Sequence, residues 1–138
     1  MPPTPVSSTL DSLTLSVRIE RPHDTVHAAL AEPWTWPRWA SGLASGLRQE
    51  GETWIAEGPG GAAVIRFSEP NPFGVADHWV IPAGGPEVYV PLRVIRSGDG
   101  AEVLLTLQRQ PSMTDADFAR DADWVRRDLQ ALKALIET

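Results

Sequence analysis

Residues 113–138, "MTDADFARDADWVRRDLQALKALIET", decide how the rest of the chain is read. Phe118, Val125, Leu129, Leu132 and Ile136 recur at three- and four-residue steps, which puts them on one stripe of a helix. Pro111 announces the helix and Thr114 supplies an N-cap oxygen. From Asp115 to Glu137 it would run about 34 Å, at about 1.5 Å per residue. A helix of that length with a single apolar face has to lie across another apolar surface.

The segments before it supply that surface. "LTLSVRIE", residues 13–20, alternates Leu13, Leu15, Val17 and Ile19 with Thr14, Ser16, Arg18 and Glu20, the pattern of a half-buried strand. "RPHDTVHAALAEP" follows as a helix, with Pro22 in its first turn and Pro33 ending it. "WTWPRWAS" reads as a second short helix closed by Gly42. From Leu43 to Arg109, "QEGE", "GPGG", "EPNPFG", "AGGP" and "SGDG" punctuate six strands with turn chemistry. Pro91, inside "VYVPLRV", cannot donate to a ladder and implies a bulge or a break in pairing. The sum is an α+β layout, a seven-stranded antiparallel meander under one long helix, with two short helices between strands 1 and 2.

Hairpin arithmetic aims the side chains. Four-residue loops at "AGGP" and "SGDG" set Val75 opposite Val94, Asp77 opposite Leu92 and Trp79 opposite Val90, then Val94 opposite Val103 and Leu92 opposite Leu105. A "GPGG" loop sets Trp54 opposite Ile65, and the next turn sets Ile65 beside Asp77. Directly opposed residues share a face. The inward face is therefore expected to carry Trp54, Ile65, Phe67, Val75, Trp79, Val88, Val90, Leu92, Val94, Val103, Leu105 and Leu107, with Asp77 as its one carboxylate. Burial there should raise the pKa of Asp77. Two roles stay open for it: fixing the packing through indole or backbone N–H groups, or serving a ligand or a reaction. Arg109 shares the parity and is a candidate rim cation, or snorkels to water.

Composition narrows the function. The chain has 138 residues, a net charge of -6 and no cysteine, which excludes disulfides, thiolate metal sites and cysteine nucleophiles. Its scattered basic residues argue against a nucleic-acid surface. No apolar run approaches the roughly 20 residues of a membrane span, and "MPPTPVSSTLDS" lacks the marks of a signal peptide, so cytoplasmic residence is expected. Residues 1–12 read as a flexible tail and 13–138 as a single domain. "HDTVH", residues 23–27, imitates a zinc helix but lacks a clear third ligand, and no metal or cofactor is expected. Asp77 and His78, adjacent on a strand, point to opposite faces and cannot form a dyad.

The layout from Leu13 to Glu137 resembles the START-like, or SRPBCC, superfamily, in particular its small bacterial polyketide cyclase/dehydrase-like branch. The stretches that carry the likeness are "RPHDTVHAALAEPWTWPRWASGL", "FGVADHWV", "VYVPLRVIRSGDGAEVLLTLQR" and "QPSMTDADFARDADWVRRDLQALKALIE". The resemblance implies a helix-grip fold whose cavity, between the last helix and a curved sheet, holds a hydrophobic or amphipathic small molecule. It implies no agreed catalytic residues. On the face assignment, Asp77, Trp79, Trp54, Ile65, Phe67, Val90, Leu92, Leu105 and Trp124 are the expected ligand contacts. Trp36 and Trp39, three apart in a helical segment, are expected to pack as scaffold, and Trp34 to lie exposed or at the cavity mouth. Two other readings stay open. One is a cyclase or dehydratase with Asp77 as general acid or base; the other is a protein-interaction module with a filled core. A monomer and a homodimer fit equally well.

Overall fold

A computed structural model describes residues 8–43, 46–58 and 61–138. The tail expected over 1–12 falls partly on residues 1–7, outside the described ones, as does the tip of the "GPGG" turn. β1 (Ser12–Ile19) alternates as its sequence dictates, with Val17 and Ile19 buried and Arg18 exposed. It pairs along its whole length with β8 (Gly100–Gln108), which pairs in turn with β7 (Leu92–Ser97). The second sheet is a meander of β2 (Leu47–Glu50), β3 (Thr53–Gly58), β4 (Gly61–Phe67), β5 (His78–Pro82) and β6 (Val88–Val90). Between β1 and β2 lie α1 (His23–Leu30) and two 3-10 turns, Pro33–Arg38 and Ser41–Leu43. Pro33 at its start and Pro37 inside "PWTWPR" keep that turn tight and short.

There are thus eight strands in two sheets where seven in one were expected. The break falls at Pro91, between β6 and β7, where the ring removes a ladder donor. The chain ahead of β5 carries the pairing across it. Val94 N–H donates to the Gly74 carbonyl (2.8 Å), Ala76 N–H donates to the Leu92 carbonyl (2.8 Å), and Val75 bridges Arg93. Gly74 must be glycine here: its φ is +78°, and an added Cβ would sit 2.3 Å from the Val94 carbonyl oxygen.

α2 (Asp115–Glu137) has the expected bounds, and Thr114 and Asp117 form a reciprocal capping box. Ala122, Leu129 and Leu132 are its fully buried residues, with Val125, Leu135 and Ile136 packed against the same core as Val17, Ile19, Leu92 and Val103. Its last turn is tied to the end of β1. Glu137 accepts from the Glu20 N–H (2.7 Å) and Lys133 (2.6 Å), while Lys133 also donates to the Arg18 carbonyl (2.8 Å).

The two faces of α2 should respond differently to truncation. Leu129→Ala should cost about 3 kcal/mol by removing a buried side chain and leaving a cavity, whereas Trp124→Ala, at a position 49% exposed, should cost less than about 1 kcal/mol. Urea unfolding of both variants measures the difference.

Candidate functional site

The ladders aim the inward face. Phe67 lies opposite His78, Ile65 opposite Val80 and Ala63 opposite Pro82; His78 in turn lies opposite Val90 and Val80 opposite Val88. The β5–β6 hairpin closes with an odd number of loop residues around Gly84, whose φ is +73°, not with the four of "AGGP". That slips the pairing by one residue, and a one-residue slip exchanges the two faces of a strand. Ala76, His78 and Val80 consequently face the core, and Val75, Asp77 and Trp79 do not. The other expected inward residues keep their side: Trp54 does lie opposite Ile65, Val94 opposite Val103 and Leu92 opposite Leu105.

A cavity of about 290 Å³ opens between α2, the second sheet and the 3-10 turns. Ile65, Val80, Val90, Leu105 and Val125 form its apolar wall, with small residues Ala56, Gly58, Gly61 and Ala63 leaving the space, and Trp36 and Trp39 closing one side. Of the expected contacts, Ile65, Val90 and Leu105 line it. Leu92, on β7 beside β8, is buried in the core and does not reach it; Phe67 is on the right face but packs edge-on against Trp36, 5.0 Å between ring centres. Trp54 shares that face at its far end, where it meets Trp34 at 4.6 Å, and Trp34 itself is 56% exposed. Trp79 and Trp124 are not part of the cavity. Trp79 stacks on Tyr89 (5.3 Å) under the Arg66 guanidinium on the outer face, and Trp124 lies beneath Arg120 on the solvent side of α2. The aromatic wall is instead made by Trp36 and Trp39, which are at once scaffold and lining.

Three polar groups belong to the cavity wall. Among the described residues, His78 Nδ1 and Trp39 Nε1 are buried without a hydrogen-bond partner, which is uncommon for a native interior. Burial pushes the His78 pKa down to about 4, against weaker opposing pulls from the Ala76 carbonyl and the Asp77 carboxylate, so the ring is neutral at pH 7. Asp128, half-buried on α2, is raised by burial, partly offset by hydrogen bonds from Ser41. A histidine preceded by an aspartate on a strand was legible as a pair on opposite faces; which of the two faces inward required the register.

Asp77 does something else. In the observed register it stands opposite Pro91, and its carboxylate turns to the groups around the break. Oδ1 accepts from the Leu92 N–H (2.8 Å) and Arg93 Nε (2.8 Å); Oδ2 accepts from Arg93 Nη2 (2.7 Å) and the Tyr89 hydroxyl (2.6 Å). Burial works to raise its pKa, but the hydrogen bonds from Arg93, Tyr89 and Leu92, together with the guanidinium charge, outweigh it. The pKa is lowered, not raised as expected, and the carboxylate does not line the cavity. Arg109, read as a rim cation, pairs with Asp115 at the start of α2 (2.7 Å) and donates to the Met113 carbonyl. His23 has both ring nitrogens engaged, with Asp24 (2.9 Å) and the Val94 carbonyl (3.2 Å). A larger groove of about 530 Å³, lined by Leu30, Trp36, Phe67 and Ala76 among others, lies between α1 and residues 67–76.

Comparison with protein-family models and with curated protein sequences finds no match. Solved structures do match in fold. An uncharacterized protein from Bacillus thuringiensis shares 14% identity at a TM-score of 0.72, covering 91% of this chain and 98% of that one. A START superfamily protein from Mycobacterium smegmatis shares 10% at 0.66, covering 91% and 97%. DynU16, a protein of the dynemicin biosynthetic locus, shares 19% at 0.70; the match covers 93% of this chain and 48% of that one. The chain has the START-like helix-grip fold. No helix among the described residues is long and apolar enough to cross a membrane.

Two consequences can be measured by urea unfolding. Asp77→Asn should cost about 2 kcal/mol, since it weakens a buried pair whose other member is half-exposed. The aspartate's contribution is complete at neutral pH and is lost as pH falls from the ordinary carboxylate range through its lowered pKa. His78 acts in a higher window. The unfolded chain binds its proton near 6.5 and the folded chain only near 4, so stability should fall by about 1.4 kcal/mol per pH unit between them, about 3 kcal/mol in all. His78→Phe should flatten that limb.

Proposed function

We propose that the cavity between α2 and the second sheet binds a hydrophobic or amphipathic small molecule. The observation that carries this reading is a hollow walled by aliphatic and indole side chains, with His78 and Asp128 as its ionisable lining. An apolar concavity with a few polar groups is what small-molecule sites have in common. The fold supports the reading only as a scaffold, because the same fold carries unrelated functions. At about 290 Å³ the cavity lies at the lower end of the roughly 300–1,000 Å³ range of such sites, which fits a ring system of two fused rings better than a long acyl chain.

Neither of the other two readings gains from the geometry. A cyclase or dehydratase built on Asp77 loses its general acid, since that carboxylate lies outside the cavity and is ion-paired. An interaction module was tied to a filled core, and the hollow favours a binder instead. Residence in the cytoplasm remains part of the proposal, on the cysteine-free composition.

The uncharged dye N-phenyl-1-naphthylamine tests the site. Its fluorescence should rise saturably on titration, with energy transfer from Trp36 and Trp39. Ala63→Phe, which fills the hollow from the sheet side, should weaken binding at least about tenfold while shifting Tm by no more than a few degrees. Dye binding that is absent, or indifferent to Ala63→Phe, would sink the proposal.

A further inference from the structure

We propose that residues 69–75 form the contact of a homodimer, in which Phe73 of each copy seats in the groove that Phe73 and Trp79 flank on the other. None of the residues lining that groove lines the cavity under α2.

Phe73 is 78% exposed, the most exposed large apolar side chain among the described residues. A single apolar side chain on a surface is ordinary; what sets this one apart is how firmly its backbone is held. Asn71 commits its whole side-chain amide to the loop. Its carbonyl accepts from the Phe73 N–H (2.9 Å) and the Val75 N–H (3.2 Å), and its NH2 group donates to the Glu69 and Val75 carbonyls (3.0 and 2.9 Å). Pro70 and Pro72 fix φ on either side of it. Ser68 is bonded to the Asp77 carbonyl through its N–H (3.0 Å) and its hydroxyl (2.6 Å), and Gly74 is wedged against Val94. The ring is thus presented by a loop with little backbone freedom left to lose on association.

The surface beside it supplies the seat. A groove of about 430 Å³ runs along the loop, with Phe73, Val75 and Trp79 among its walls. Crest and hollow therefore lie side by side on one face, which is what an isologous contact requires. A two-fold axis between two copies sets each Phe73 against the other's groove at once. A foreign partner would have to complement the two features separately, whereas a second copy does so with the same residues. Arg66 and Glu69 both belong to the lining, so the face carries both signs. It does not repel a copy of itself, as a purely acidic face on this chain of net charge -6 would. A contact of one loop and one groove is smaller than the about 800 Å² per partner of a standard interface, so a dissociation constant on the order of 100 µM is expected.

Sedimentation equilibrium of the full chain between about 5 and about 500 µM, which brackets that constant, tests the contact. The average mass should rise from that of a monomer toward that of a dimer. Phe73→Ser should weaken association at least about tenfold, because both seats empty together, while moving Tm by no more than about 2 °C. In a mixture of isotope-labelled and unlabelled chains, isotope-filtered NOEs should join the Phe73 ring of one copy to the Trp79 indole of the other. A chain that stays monomeric throughout, or a dimer indifferent to Phe73→Ser, overturns the inference. So does a Phe73 ring whose resonances respond to removal of residues 1–7 but not to protein concentration, which would make that segment its occupant.

Discussion

The structure depends on what happens at Pro91. A proline inside a strand cannot donate, and here the ladder parts into two sheets on either side of it. Leu92, the next residue, is completely buried, so its N–H would otherwise be orphaned in the core. Asp77 fills the gap from the facing strand. One carboxylate accepts that N–H, both arms of Arg93 and the Tyr89 hydroxyl, gathering residues from both sides of the break. It is a side chain standing where a backbone carbonyl would be, and its charge is matched by the guanidinium rather than buried alone.

That arrangement fixes the register, and the register builds the cavity. With Asp77 committed to the outer face, His78 must point inward, beside Trp36 at 4.7 Å. Val80 follows it, and Trp79 is sent out to stack between Tyr89 and Arg66. Small residues on β3 and β4 then face Val80 and Val90 without filling the space under α2. The hollow is the outcome of side-chain size at these positions, not of any unusual backbone. A polar ring in an apolar hollow is uncharged at neutral pH, which makes it a hydrogen-bonding feature of the wall and not an ion.

α2 was legible because a long amphipathic helix repeats its signal many times: the stripe, the cap and the bounds all follow from residues 114–137. β1 and the β7–β8 hairpin were legible for a similar reason, with alternation over eight or nine residues and a short turn whose geometry allows one pairing. Even the break at Pro91 could be read, since it follows from a missing N–H. Of the tryptophans of "WTWPRW", Trp36 and Trp39 pack as expected, yet they also line the cavity, because a wall is made of whatever packs beside an empty space.

What the sequence determined by itself was therefore the order of the main elements, the helix laid across a sheet, and the existence of one apolar face on each strand, though not the eighth strand or the division into two sheets. Only the tertiary structure decided which of Asp77 and His78 belongs to that face. Strand alternation has a period of two, so it defines a face only up to a one-residue shift. "GVADHWV" has apolar residues at both parities and reads acceptably either way. The choice was made by a hairpin loop of odd length and by the bonds Asp77 makes around Pro91, contacts between residues 12 to 16 positions apart that no local pattern contains. The same shift took Asp77 out of the candidate site and put His78 into it.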